Sequence, residues 1–269
     1  MITWGYLSNW AWQNHYKHSR SQDSARSILK LLPIPEKTPA AAIDRAYLRK
    51  VVDDMRAKGL EESTIRRYLS VLMKTLREAH KEGMLAAMPS MPTLPPAKRG
   101  RVRWLTEAET ATLMNVAYGE PQPFWQLLEI LVNTGLRLGE ALSLKWEDIT
   151  ADGLLVRESK NGEQRKIPMT KKVKALLETP TSLAGPFTSL KPYQVHRMWN
   201  SCRAKLGLDK DPEFVPHCLR HTFASRLVQR GAGLQVVKEL LGHKKLENTM
   251  IYAHLAPAQH AAAISLLEN

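Results

Sequence analysis

The sequence predicts a mainly α-helical chain with one small β-hairpin, an α+β class arranged in two domains. Apolar residues recur at helical spacing through most of the chain. Asn161-Gly162, the strongest short hairpin signal, joins two short strand-like runs between Glu158 and Pro168. Residues from Met88 to Arg103 carry Pro89, Pro92, Pro95 and Pro96 with no helical period, followed by Lys98, Arg99, Arg101 and Arg103. That stretch reads as a stiff basic linker. The expected organisation is a helical domain over 1–88, the linker over 89–103, and a second domain over 104–269 that contains the hairpin.

The 269 residues suffice for two domains with real cores. The net charge of +13 makes a polyanion, nucleic acid first, the expected partner. The excess is uneven: 19 basic against 9 acidic residues through Arg103, and 20 against 17 beyond it. Cys202 and Cys218 lack paired spacing, which argues against a disulfide framework or a zinc knuckle and for reduced thiols in the cytoplasm. No apolar run reaches the roughly 18 residues needed to span a bilayer, and no signal peptide is evident, so no membrane partner is expected.

In order along the chain, four helices are expected first. Ile2 to about His15 places Trp4, Leu7, Trp10 and Ala11 on one face; Ser24–Leu32 stops at Pro33; Ile43–Lys58 repeats Ile43, Tyr47, Val51 and Met55 and stops at Gly59. The fourth, Ser63–Glu82, turns Ile65, Leu69, Leu72 and Leu76 inward and Arg66, Arg67, Lys74 and Arg77 partly outward. This set reads as a DNA-binding clamp or as an ordinary amphipathic bundle with solvated arginines.

Beyond the linker, Thr106 and Glu109 form a capping box, and Pro123–Asn133 reads as a buried helix. Thr134-Gly135 leads into a further helix, where Arg137 can aim its guanidinium at an anion while Glu140 holds it. His217 and Arg220 lie one helical turn apart and so share a face, where Arg220 can supply a second guanidinium and His217 can hydrogen-bond a phosphate or accept a tyrosine proton. His221 falls on another part of that helix and is assigned to structure. The His217/His221 spacing also suggests a metal pair, but Cys218 stands where a metalloprotease needs glutamate and no third ligand is evident, so no metal is expected. His243 follows Gly242 at an expected helix end. In the tail, Pro257 suits a first helical turn, and Ala263, Ile264 and Leu267 form an apolar stripe that packs on its own domain or on a neighbouring subunit.

Between Pro216 and Leu255 the chain therefore collects His217, Arg220, His221, His243 and Tyr252. A phenol attacks phosphorus when its proton is removed and the charge growing on the phosphorane oxygens is neutralised, and imidazole and guanidinium do both. The segment closely resembles the C-terminal signature of the tyrosine recombinases, the phage-integrase family, in His217-Cys-Leu-Arg220, Leu241-Gly242-His243, and Tyr252 nine residues later. Thr134-Gly-Leu-Arg137-Leu-Gly-Glu140 through Trp146 matches the family's first-arginine box. Cys218 departs from the family, which usually has an acidic residue there.

The resemblance covers residues 104–260 and implies a catalytic set of Arg137, Lys160, His217, Arg220, His243 and Tyr252. Tyr252 would be the nucleophile, His243 would hydrogen-bond the scissile phosphate, and Lys160, on the hairpin beside Arg165 and Lys166, would protonate the leaving 5′ oxygen. It also implies a core-binding role for the helical domain, with Arg66, Arg67, Lys74, Lys98, Arg99, Arg101 and Arg103 toward DNA. The clamp begins almost at Met1, so the arm-binding domain that many phage integrases carry before it is either absent or removed ahead of Met1. The implied activity is site-specific recombination of double-stranded DNA through a 3′-phosphotyrosine and a Holliday junction, with neither cofactor nor ATP. The implied assembly is a homotetramer on DNA, in the cytoplasm at the nucleoid, with accessory DNA-bending factors as further partners. A topoisomerase-IB-like or telomere-resolving enzyme, and a non-enzymatic DNA-binding protein of the same fold, are the alternatives.

Overall fold

The structure is a computed structural model that describes residues 1–19, 21–95, 102–157, 164–178 and 183–257. The chain divides into two compact units, Met1–Arg99 and Gly100–Asn269.

The first unit is helical. Helix α1, Trp4–Ala11, is followed by a wider π-type turn, Trp12–Tyr16. It begins two residues later than the apolar pattern suggests because Thr3 is extended, caps the Tyr6 amide and bridges to Pro39, which keeps Ile2 outside the helix. Helix α2, Gln22–Leu31, ends where Leu32 turns extended ahead of Pro33, whose ring disfavours a helical predecessor. Asp44 caps α3, Arg45–Ala57, by accepting the Tyr47 amide at 2.7 Å. Helix α4, Glu62–Lys81, is the centre of the unit, with α1, α2 and α3 packed against it. Ile65, Leu69, Leu72 and Leu76 are all fully buried on its inner face.

Three basic residues of α4, Arg66, Arg67 and Lys74, have partners within the unit. Arg66 donates to the Pro95 carbonyl and Arg67 to the Ser24 hydroxyl, while the Lys74 ammonium stands 4.9 Å from the Tyr16 ring centroid.

The second unit is a helical core with a small sheet on it. The capping box of Thr106 and Glu109 starts α5, Glu107–Tyr118. Helix α6, Gln122–Thr134, is buried on nearly every side, with Phe124, Leu127, Leu128, Ile130 and Leu131 in the core. Such an all-round apolar helix belongs inside a domain. It leads through Gly135 into the five-residue α7, Leu138–Leu142. Then come β1, Ile149–Thr150, β2, Gly153–Val156, and β3, Arg165–Ile167, in an antiparallel sheet of order β1-β2-β3.

Leu154 pairs with Ile167 and Val156 with Arg165. The first hairpin strand thus lies upstream of the expected start at Glu158, because Leu154 and Val156 are the residues with a core to enter. The Asn161-Gly162 turn lies outside the described residues. Helices α8, Lys171–Leu177, α9, Pro192–Lys205, α10, His217–Gln229, and α11, Leu234–Leu241, complete the unit before a 3-10 turn over Met250–Leu255. Helix α10 packs on α6, α11 and that last turn, so it touches every segment that carries a C-terminal site candidate.

Candidate active site

The site is built on two glycine turns. Gly135 ends α6 with φ +66, and a Cβ there would come within 2.4 Å of the Phe223 ring. Gly242 ends α11 with φ +64. Both conformations are left-handed and suit glycine, and each reverses the chain so that the residues following it re-enter the unit. Arg137 follows the first turn and His243 the second.

Arg220 ties the two turns together. From the buried inner face of α10, its guanidinium donates to the Gly135 carbonyl and to the Leu241 carbonyl, each at 2.6 Å. Arg137 donates to the Glu140 carboxylate at 2.8 Å and reaches the Gly242 carbonyl at 3.5 Å. Glu140 also accepts the Arg137 amide at 2.8 Å, as expected for a residue that holds this arginine in place.

A third arginine stands behind the first two. Arg165 on β3 makes a fork-to-fork pair with Glu140 at 3.0 and 2.6 Å and donates from Nε to the Leu240 carbonyl at 2.9 Å. One carboxylate therefore serves two guanidiniums, and the sheet is fastened to the end of α11. In the sequence Arg165 stands only as a hairpin neighbour that could be confused with Lys160. Its only signal there was its place on the hairpin. Lys166, the other neighbour, pairs with Asp152 at 3.0 Å on the exposed side.

Tyr252 is buried, and its hydroxyl lies 2.6 Å from Nδ1 of His221. Helix α10 presents His221, assigned from the sequence to structure, to the last turn, beside Arg220. His217 packs edge-on to His221, ring centroids 4.8 Å apart. His243 is held by the fully buried Thr249 hydroxyl at 3.0 Å, and the Thr249 carbonyl accepts the Tyr252 amide. Thr249 was also missed, since a lone threonine three residues before a tyrosine carries no distinguishing pattern.

The electrostatics favour an anion. Arg137, Arg165 and Arg220 face one carboxylate, Glu140. Burial opposes ionisation of that carboxyl, but Arg165 and then Arg137 outweigh it and hold it below its ordinary value. Burial, with Arg137 close by, pulls the Arg220 guanidinium down to about 9, so it remains charged at neutral pH. His221 and His243 are both pushed down to about 4, first by burial and then by neighbouring imidazole and guanidinium groups. His217 is open to solvent on one side and crowded by protein on the other; that crowding, with Arg220 and Arg137, lowers it as well. Burial raises the Tyr252 phenol to about 12. The pocket thus offers fixed positive charge and neutral imidazoles around an un-ionised phenol.

Of the expected site residues, Arg137, His217, Arg220, His243 and Tyr252 are brought together. Lys160, Lys98, Arg99 and Arg101 lie outside the described residues, as does the expected tail stripe of Ala263, Ile264 and Leu267. Arg103, expected along a phosphate backbone, has acidic partners in its own unit. It pairs with Glu109 at 2.6 Å and Asp211 at 3.1 Å, with its guanidinium over the Phe214 ring, because acidic partners on two elements of its own unit lie within reach. Cys202 and Cys218 are buried free thiols, raised by burial to about 11 and 12. No group of three candidate metal ligands occurs among the described residues, and none of the described helices is long and apolar enough to cross a membrane.

Known proteins resemble this chain over most of its length. Residues 103–259 match the phage integrase family. The chain is 31% identical over 248 residues to the tyrosine recombinase XerC of Xanthomonas axonopodis pv. citri, covering 86% of this chain and 79% of that one. It is 29% identical over 208 residues to the tyrosine recombinase XerA of Saccharolobus solfataricus, covering 76% and 67%. Among solved structures, a lambda integrase dimer bound to a core site superposes with a TM-score of 0.77 at 22% identity, over 91% of this chain and 96% of that one. The Tn1549 transposon integrase in complex with circular intermediate DNA superposes with a TM-score of 0.76 at 20% identity, over the whole of both chains. The chain belongs to the phage integrase family of tyrosine recombinases, enzymes that break and rejoin DNA.

Proposed function

We propose that this protein recombines double-stranded DNA at specific sites, with Tyr252 as nucleophile and Arg137, Lys160, His217, Arg220 and His243 as its catalytic set. The observation that carries the reading is the convergence of Arg137, Arg220, His243 and Tyr252 on one pocket whose guanidiniums outnumber its carboxylate. A scissile phosphodiester supplies the missing negative charge. The Tyr252 oxygen attacks phosphorus, the phosphorus–5′ oxygen bond breaks, and a 3′-phosphotyrosine forms with a free 5′ hydroxyl. Arg137 and Arg220 stabilise the charge that grows on the phosphorane oxygens. His217 and His243 hydrogen-bond those oxygens, and Lys160 protonates the departing oxygen.

The covalent intermediate retains the phosphoryl bond energy, so a 5′ hydroxyl of a partner strand can attack it without ATP. Strand exchange through a Holliday junction by four protomers is supported by likeness to a lambda integrase tetramer bound to such a junction, with a TM-score of 0.76 at 22% identity. The first unit and the linker hold the DNA, in the cytoplasm at the nucleoid. The test is covalent trapping on nicked duplex DNA: the native protein should form an adduct resistant to SDS, and Tyr252→Phe should bind the same DNA without forming one. An adduct retained by Tyr252→Phe overturns the assignment.

A further inference from the structure

We infer that His221 is a catalytic residue of this protein, the group that takes the phenolic proton of Tyr252 when DNA is cleaved and returns it when the strand is rejoined. The inference rests on the reading of Tyr252 as nucleophile and deepens it.

The geometry carries it. The Tyr252 hydroxyl lies 2.6 Å from Nδ1 of His221, a distance from which a proton can pass directly. The contact spans 31 residues and joins Tyr252, the buried residue of the turn over Met250–Leu255, to the second turn of α10, so it is set by packing. His217 stands edge-on to the same imidazole, with centroids 4.8 Å apart, while the ring centroids of His221 and Tyr252 are 5.9 Å apart. The hydrogen bond to the reacting oxygen is made by His221. His217 is exposed to solvent, which leaves it free to meet the phosphate.

The step balances. In the tautomer of His221 that carries its proton on Nε2, the Tyr252 O–H bond breaks as an N–H bond forms at Nδ1. The phenolate oxygen attacks phosphorus, and the leaving 5′ oxygen takes its proton from the acid at Lys160. On rejoining, the 5′ hydroxyl loses its proton to that same acid–base group, and the tyrosine oxygen leaves with the proton held by His221.

The charged and titratable groups facing His221 explain why the transfer waits for DNA. They are His217 and Arg220 on its own helix, His243 at the end of α11, and Tyr252 on the last turn. With the guanidiniums uncompensated, a buried imidazolium at His221 is strongly disfavoured, so the phenol keeps its proton. A phosphodiester bound to Arg137 and Arg220 cancels much of that positive field and restores basicity at Nδ1. Nucleophile activation is thereby coupled to occupancy of the phosphate site.

The test uses single-turnover cleavage by the full chain on a nicked duplex suicide substrate. Its site is first recovered by sequencing DNA that the native protein traps covalently from a random-sequence pool. Native cleavage should be nearly independent of pH from about 7.5 to 9, above the range in which an imidazole titrates. His221→Leu, which has no proton acceptor, should be slowed roughly 100-fold at pH 7 and should then rise about tenfold per pH unit, as hydroxide takes over the role of base. His221→Asn keeps an acceptor near the position of Nδ1 but no basicity, and should show the same slope. Recovery of the native rate and a flat profile by His221→Asn would reduce His221 to positioning and overturn the proposal. A His221→Leu protein that cleaves faster than the native one would make the contact a resting latch, and one with a uniform slowing and unchanged profile would make it structural. Absence of any native adduct would instead overturn the assignment of Tyr252 itself.

Discussion

Replacing Arg165 by methionine removes a buried cation while keeping most of the side chain's volume, and the structure sets the size of the effect. Glu140 is 5% exposed at its side chain and Arg165 9%, so neither is well solvated. The substitution deletes the contacts at 3.0 and 2.6 Å and the Nε bond to the Leu240 carbonyl, while leaving the carboxylate its Arg137 amide and guanidinium, both at 2.8 Å. Breaking a buried pair by removing one partner costs about 3–5 kcal/mol. With Arg137 still in place, the lower end applies, about 3 kcal/mol at pH 7.

The sign of the pH dependence follows. In the native protein the Glu140 carboxyl is held below its ordinary value, so it stabilises the fold above the unfolded-state value and loses that contribution as pH falls through the folded one. Without Arg165, burial prevails, the carboxyl rises, and protonation relieves part of the penalty. The stability gap between native and Arg165→Met should therefore be widest near pH 7 and narrow toward pH 4. Urea titration read by hydrogen exchange at α7, β3 and α11 amides reports this unit separately from the first. A gap below about 1 kcal/mol at pH 7, or one that widens as pH falls, refutes the reasoning. A cycle with Glu140→Gln should show strong coupling, because each single change strands the other partner.

Three further outcomes follow from the site. Arg220→Ala should lose cleavage by at least about 100-fold, and should do so even with small phosphate-mimicking substrates, because it removes both a transition-state charge and the tie between the Gly135 and Leu241 carbonyls; near-native single-turnover cleavage would misplace it. Lys160→Ala should be severely slow on ordinary DNA and largely rescued when sulfur replaces the leaving 5′ oxygen, since a thiolate departs unprotonated; equal defects on both substrates would move the role, with Lys166 tested first. Replacing Lys98, Arg99 and Arg101 together by alanine should flatten the dependence of log affinity on log salt through fewer phosphate contacts, whereas Arg103→Ala should chiefly lower thermal stability by breaking its pairs with Glu109 and Asp211; the opposite pattern would reverse these assignments.

Local chemistry was legible wherever a residue and its near neighbours suffice. The Thr106–Glu109 capping box, the inward face of α4 and the helix end at Gly242 are settled within a turn or two of chain, where backbone dihedrals and cap hydrogen bonds decide. The presence of His217, Arg220, His243 and Tyr252 in one segment, and its resemblance with the Arg137 box to the tyrosine recombinases, pointed to phosphoryl-transfer chemistry. The two-residue β1 was too short to show a period, and β2 sits at Gly153–Val156 because burial of Leu154 and Val156 chose it.

Partner choice belonged to the tertiary structure. Arg220 finds carbonyls 85 and 21 residues away, Arg165 a carboxylate 25 away, and His221 a phenol 31 away. Long side chains reach whatever packing places within about 3 Å, and that depends on how α10 seats on α6, α11 and the last turn. The sequence by itself determined which chemical groups this protein carries and on which helices and turns. Only the fold decided which imidazole meets the tyrosine, which arginine holds Glu140, and that Arg103 lies within reach of Glu109 and Asp211, because those contacts join residues that only packing brings together.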